Sequence, residues 1–220
     1  MKPFFRRLRR PALLGTLRRT TPLSDFWGFD RGTPVDRYYI ESFLAEHRDD
    51  VRGRVLEVQS SGYTDRFDSG VERRDVLDVD PANPRATILA DLAAADAVPS
   101  DAFDCFILTQ TLHLIFDVRA ALRHAHRLLR PGGVLLATAP VVSRISASAP
   151  TDSWRFTPAA FERLLGEAFG GGEVAVRAYG NVLTGIAFLT GMAREELSRR
   201  ELEAGDPHFP VVVAARAVKR

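Results

Sequence analysis

The chain has 220 residues, 45% of them hydrophobic and 26% charged, the balance of a globular domain rather than of a disordered or low-complexity protein. Residues 1–24 carry Lys2, Arg6, Arg7, Arg9, Arg10, Arg18 and Arg19 with no acid, so the net charge of +2 leaves −5 for the remainder. The basic character thus belongs to an arm and does not mark a nucleic-acid-binding face.

The apolar piece Pro11 to Leu17 of that arm is too short for a secretion signal and runs straight into Arg18 and Arg19. No stretch has the length of a transmembrane helix. Phe4, Phe5, Leu8, Leu13, Leu14 and Leu17 interleave with arginines as in a membrane-surface segment. Pro11 breaks that pattern, and a mobile or domain-packed extension over residues 1–34 is the favoured reading. The folded domain is expected over residues 35–220.

Asp36, as cap or first-turn acid, opens a helix from about Val35 to His47, with Tyr39, Ile40, Phe43 and Leu44 on its apolar face. Val55 to Val58 read as a buried strand ending in the polar loop Gln59-Ser60-Ser61-Gly62. A second strand is expected at Asp75 to Val79, stopped by Asp80-Pro81, and a short third around Thr87 to Ala90, leading to Asp91-Leu92. The run Phe103 to Leu108 is continuous enough for a covered parallel strand. It encloses Cys105, the one cysteine, which reads as a buried core residue in a protein of the reducing cytosol.

Asp117 caps the clearest helix, where Val118, Ala121, Leu122, Ala125, Leu128 and Leu129 form one stripe. Pro131-Gly132-Gly133 is expected to end it, with a strand beginning at Val134. A helix over Pro158 to Phe169 stops at Gly170-Gly171-Gly172. A strand near Val174 to Tyr179, helical pieces between Val182 and Leu202, and a strand from Val211 to Val218 complete the chain. Strands alternating with helices predict a three-layer α/β domain with a mostly parallel sheet.

Ligands of such sheets sit beyond the carboxyl ends of the strands, where strand order reverses. The loop after Val58 and the acid Asp80 are therefore the first candidates, and Asp80 follows Gly62 at close to the ~20-residue spacing of a ribose-gripping carboxylate. Asp80 before Pro81 is equally readable as a turn starter. His113, after the Cys105 strand, is the candidate general base, although pairing with Asp117 is the favoured reading of it. His124 and His126 stand two apart on a helix and cannot share a metal as an i, i+4 pair would, so no metal site is expected. No serine elbow of the hydrolase type occurs.

The segments VLEV, Asp80, Asp91 and DAFDCFILTQTLHLIFDVRAALRHAHRLLRPGGVLLATAP resemble class I S-adenosylmethionine-dependent methyltransferases of the small-molecule, methyltransferase type 11-like kind, over roughly residues 35–220. The resemblance implies a Rossmann-like three-layer sandwich with a seven-stranded, mostly parallel sheet and an antiparallel last strand. It implies S-adenosylmethionine as cofactor and a small-molecule acceptor as partner. Glu57, Val58, Gln59, Ser60 and Gly62 would lie under its methionine part, Asp80 with Pro81 would hold the ribose, and Asp91 with Leu92 would border the adenine. Thr109 and Gln110 would floor the site near the sulfonium. Tyr38, Tyr39, Trp154 and Arg155 would contact the acceptor, and WRFTP at 154–158 resembles members that modify sugars or natural products.

One departure stands out. The family loop E-x-G-x-G-x-G is here Glu57-Val58-Gln59-Ser60-Ser61-Gly62-Tyr63, with all three glycines replaced. Gln59 or Tyr63 would then either block close approach of the ligand or supply hydrogen bonds in the glycines' place. A non-catalytic binding module is accordingly the alternative. A nicotinamide enzyme is disfavoured because no G-x-G-x-x-G occurs.

Overall fold

The computed structural model describes Gly15 and residues 18–146, 151–170 and 172–220. Most of the basic arm, and Gly171 of the expected glycine stop, lie outside the described residues.

The helix α1 spans Val35–Glu46 and begins just after Pro34, with Asp36 as its first-turn acid. The chain then alternates: β1 Gly53–Val58, α2 Gly62–Phe67, β2 Val71–Asp78, β3 Ile88–Leu89, β4 Phe103–Thr109, α3 Val118–Leu128 and β5 Leu129–Pro140. Next come α4 Pro158–Ala168, β6 Val174–Tyr179, α5 Val182–Thr190, α6 Arg199–Glu203 and β7 Val212–Val218. One seven-stranded sheet results, in the order β3-β2-β1-β4-β5-β7-β6. Strands β1 to β5 pair in parallel, and β7 runs antiparallel to both β5 and β6. This is the three-layer architecture that the alternation predicts, with the Rossmann-like seven-stranded sheet that the resemblance implies.

Two cores follow from burial of both sheet faces. Phe106, Leu108, Leu122, Leu135, Phe161 and Phe169 pack on the side of α3 and α4. Ile40, Phe43, Cys105, Ile107, Leu136 and Phe188 pack on the side of α1 and α5. Each fully buried phenylalanine contributes on the order of 1.5–3 kcal/mol. The helix α3 packs its apolar stripe into the first of these cores, and the Asp117 carboxylate caps it by accepting from the Ala120 amide at 2.9 Å.

The strand β5 corrects one expectation. Leu129 already pairs with Phe103, so the strand begins before Pro131-Gly132-Gly133 and continues to Pro140. The proline and glycines form an irregularity inside it, between the Phe103–Leu129 and Cys105–Val134 pairs. Glycine is needed there: Gly132 has φ +79°, and a side chain on Gly133 would press on the Arg130 carbonyl at 2.8 Å.

Ahead of α1, residues 23–34 form a strap laid over the C-terminal third. The Leu23 amide donates to the Thr190 carbonyl at 2.7 Å. Buried Ser24 accepts through its hydroxyl from the amides of Phe26 and Gly28. Gly28 lies so close to the Met192 carbonyl that a Cβ would meet it at 2.8 Å. The Thr33 amide donates to Glu195 at 2.9 Å, and Pro34 bridges Ala193.

Candidate active site

From β1 the chain turns outward to β2 and β3, whereas β4 and β5 lie on the other side of β1. Loops leaving the carboxyl ends of β1 and β4 therefore diverge and leave a crevice, the usual ligand position in such sheets. A cavity of about 500 Å³ occupies this place, lined by Gln59 after β1, Gln110 and His113 after β4, and Pro140 at the end of β5. The strap closes its other side with Phe26, Trp27 and Phe29, and Asp36 and Arg37 of α1 join them. That volume suits a drug-sized ligand.

Backbone strain converges on the same cavity. Among the described residues, the non-glycine residues with left-handed φ are Trp27 (+51°), Gln59 (+70°), Asp101 (+53°) and Gln110 (+47°). All but Asp101 line the cavity wall. Such conformations cost on the order of 1–3 kcal/mol each and cluster at functional sites.

Gln59 stands where the family loop has its first glycine, and it adopts a glycine's backbone conformation. The Ser60 amide donates to the Val58 carbonyl at 2.8 Å, closing a γ-turn centred on Gln59. The Gln59 amide donates to Leu77 at 3.0 Å, and its carbonyl accepts from the Asn83 side chain at 2.8 Å. The Gln59 side chain is exposed at the cavity wall. Tyr63 is turned away: its hydroxyl accepts from Arg37 and its ring stacks on Phe67, 6.3 Å between centroids. Tyr63 does not line the cavity.

Glu57 is buried and fully engaged. Its carboxylate accepts from the Tyr63 amide (3.1 Å), the Thr64 amide (2.8 Å) and the Thr64 hydroxyl (2.7 Å), which anchors the start of α2. Burial pushes its carboxyl up, against the pull of these bonds. Val58 is partly buried, and exposed Gly62 is the first residue of α2.

At the end of β2 stand two acids with different duties. Asp78 accepts from the Asp80 amide (3.0 Å) and the Asn83 side chain (2.6 Å), stitching this turn to Gln59. Exposed Asp80 gives one oxygen to the Ala82 amide at 2.8 Å; Pro81 follows it in an exposed turn. Asp91 similarly caps a single turn by accepting from the Ala93 amide, while Leu92 belongs to the core. None of Asp80, Pro81, Asp91 and Leu92 lines the cavity, and neither does Thr109.

His113 lies on a short turn after β4, and its Nδ1 is buried without a hydrogen-bond partner. Burial holds the imidazole neutral, with its pKa lowered to about 4, against the attraction of Asp152. Asp117 plays no part in this: its carboxylate caps α3, so the expected His113–Asp117 pairing is replaced by the neighbourhood of Asp152 and Arg155.

The expected acceptor contacts are structural in this arrangement. Tyr39 is buried and donates to the Leu202 carbonyl at 3.0 Å, and the Tyr38 hydroxyl reaches Glu203. Trp154 donates to the Phe116 carbonyl at 3.2 Å and packs on the Phe116 ring. Arg155 grips Asp152 and donates to the Arg144 carbonyl at 2.8 Å, fixing the loop after β5. The Arg155 ties are internal to the loop, and none of Tyr38, Tyr39, Trp154 and Arg155 lines the cavity. The walls that do face the cavity, Phe26, Trp27, Phe29, Ser143 and Phe188 among them, carry no periodic signal; the dense aromatic run at 26–29 was the one available hint.

Fold and crevice together define a Rossmann-like α/β protein with an open crevice beyond β1 and β4. Residues 71–137 match the family model described as a methyltransferase domain, and no curated protein matches the chain. An S-adenosylmethionine-dependent methyltransferase from Archaeoglobus fulgidus has a similar structure, with TM-score 0.56 and 13% identity over 83% of this chain and 94% of that one. One from Mesorhizobium loti aligns with TM-score 0.56 and 18% identity over 87% and 100% of the two chains. The [4+2]-cyclase SpnF aligns with TM-score 0.56 and 16% identity over 91% and 87%. The chain is thus a class I methyltransferase-fold protein, and S-adenosylmethionine is the cofactor that the family match indicates.

Proposed function

We propose that the protein transfers a methyl group from S-adenosylmethionine to a hydroxyl of a small-molecule acceptor, a sugar or natural product. The observation that carries this reading is the convergence of three left-handed non-glycine residues and a neutral histidine on one cavity at the carboxyl ends of β1 and β4. The residues present fit the cofactor because Gln59 already has the backbone conformation of the missing glycine and Tyr63 is held away by Arg37. Gln59 and Gln110, on the cavity wall, would take the methionine end, and exposed Asp80, beyond that wall and with one oxygen engaged locally, would take the ribose hydroxyls. Glu57 and Asp78 position these loops rather than touch a ligand.

When bound, the cofactor would supply an electrophilic methyl group on a positive sulfur. The chain's contribution is alignment and proton removal. Trp27, Phe29 and Phe188 give the acceptor an apolar bed, and proximity of this kind is worth ~7–11 kcal/mol when the reactants are well aligned. His113, kept neutral by burial, accepts the hydroxyl proton at a ring nitrogen. Calorimetry with S-adenosylmethionine and its demethylated product, followed by labelled-methyl transfer to a panel of sugar and polyketide hydroxyls, tests the reading. Absence of cofactor binding at millimolar concentration would remove it.

A second reading, a binding module or non-methylating enzyme on this fold, is favoured by the loss of all three loop glycines. The likeness to SpnF, whose name describes a cyclase, points the same way. Cofactor binding with no transfer to any acceptor would select it.

A further inference from the structure

The cavity does not account for the outer face of α5 or for the basic arm. Val182, Leu183, Ile186 and Leu189 are 53%, 38%, 39% and 46% exposed. Their spacing places them on one side of α5. The opposite side, with Ala187 and Phe188, is buried in the core. The strap adds exposed Phe26 and Phe29, with ring centroids 5.3 Å apart. An uncovered apolar face of this extent marks an interaction surface.

Positive charge borders it. A second cavity of about 400 Å³ is lined by Arg19, Thr20, Thr21, Ser24, Trp27, Arg144 and Leu189. Asp25 is the one acid on its wall, against two guanidiniums. Arg144 lies over the Trp27 ring, 4.5 Å from its centroid, and its Nη1 is buried without a hydrogen-bond partner. Two guanidiniums on the wall of one cavity favour an anionic ligand there. The chain enters this region at Arg18 and Arg19, so the arm of residues 1–17, which has five basic residues and no acid, joins the fold beside Leu189.

We infer that α5 and the strap dock on an anionic phospholipid surface, with a lipid phosphate in the Arg19–Arg144 cavity and the apolar α5 face against the acyl boundary. An apolar helix face flanked by clustered arginines is the combination that holds interfacial segments on acidic bilayers. The preformed α5 face supplies an apolar surface whose placement does not depend on the arm. Among the described residues no helix is long and apolar enough to cross a membrane, so the contact is peripheral. Phe26 and Phe29 belong to both this surface and the wall of the reaction cavity, which places the acceptor entrance at the lipid boundary.

Flotation of the full chain with phosphatidylcholine vesicles, with and without phosphatidylglycerol, tests the inference. The protein is expected to float only with the anionic vesicles and to be released by salt. Ile186→Glu with Leu189→Glu should reduce the bound fraction by about tenfold or more, the loss of one buried aliphatic side chain being sufficient. Arg144→Gln should weaken the anionic preference. Unchanged melting curves and cofactor affinity in these variants separate the result from misfolding and from failure of the methyltransferase reading. No flotation, or flotation indifferent to α5 and Arg144, overturns the inference. A wild-type dimer that the double glutamate variant dissociates also overturns it, because the face then belongs to a second copy.

Discussion

Gln59 offers a direct measure of how the degenerate loop is held. Its φ of +70° places Cβ in the left-handed region, at a cost of roughly 1–2 kcal/mol for a residue with a side chain. Glycine would remove that cost and return about 0.4–1 kcal/mol through the greater freedom of the unfolded chain. Both backbone hydrogen bonds of Gln59 survive the change, since they use its amide and carbonyl. Gln59→Gly should therefore stabilise the protein by about 0.5–1 kcal/mol, or roughly 1–4 °C in melting temperature for a chain of this size. Gln59→Ala keeps Cβ and the strain, and should gain nothing. Scanning calorimetry of the two variants beside the wild type reads the difference. Titration with S-adenosylmethionine should show tighter binding for glycine, because the backbone then admits closer approach. If alanine stabilises as much as glycine, or glycine lowers the melting temperature, the strain at Gln59 is not what distinguishes this loop.

His113→Asn should lower turnover by about 10²–10⁴-fold with cofactor affinity intact, and wild-type turnover should show no acid limb until pH approaches about 4. In the folded protein His113 takes its proton only near pH 4, whereas the unfolded chain does so near 6.5. Stability should thus decline as pH falls from 6.5 towards 4 and then level, and His113→Asn should flatten that slope in melts run across the range. Glu57→Gln puts an amide NH₂ against the donors of Tyr63 and Thr64 and should cost roughly 2–3 kcal/mol, read as a lower urea midpoint. Glu195, where burial opposes ionisation but Thr33 and Arg194 outweigh it, is held at about 2. Its tie to the strap should be fully present above about pH 4.5 and fade as pH falls towards 2, so wild type and Glu195→Gln should converge in strap proteolysis at low pH.

Most of the sheet was legible because its signals are local. The α3 stripe from Val118 to Leu128 and the apolar run at Phe103 to Leu108 each specify an element without reference to the rest of the chain. Long-range features were not. Pro131-Gly132-Gly133 reads as a stop, yet pairing of Leu129 with Phe103 carries the strand through it. Nothing in glutamine's own preferences announces a left-handed Gln59 or Gln110; the partners that hold those turns, Leu77 and Thr138, come from other strands. Tyr39 and Arg155 read as ligand contacts because their chemistry is versatile; in the fold Tyr39 donates to Leu202, far along the chain, and Arg155 to Asp152, three residues before it. His113 lies after β4 as expected, while Asp117, its expected partner, caps a helix instead.

The strap ties the chain's beginning to its end. Trp27 and Phe29 are held through contacts to Thr190, Met192, Ala193 and Glu195. The strap-side wall of the cavity therefore depends on residues 190–195, so a chain cut short of them would keep Gln59 and Gln110 without the wall that faces them.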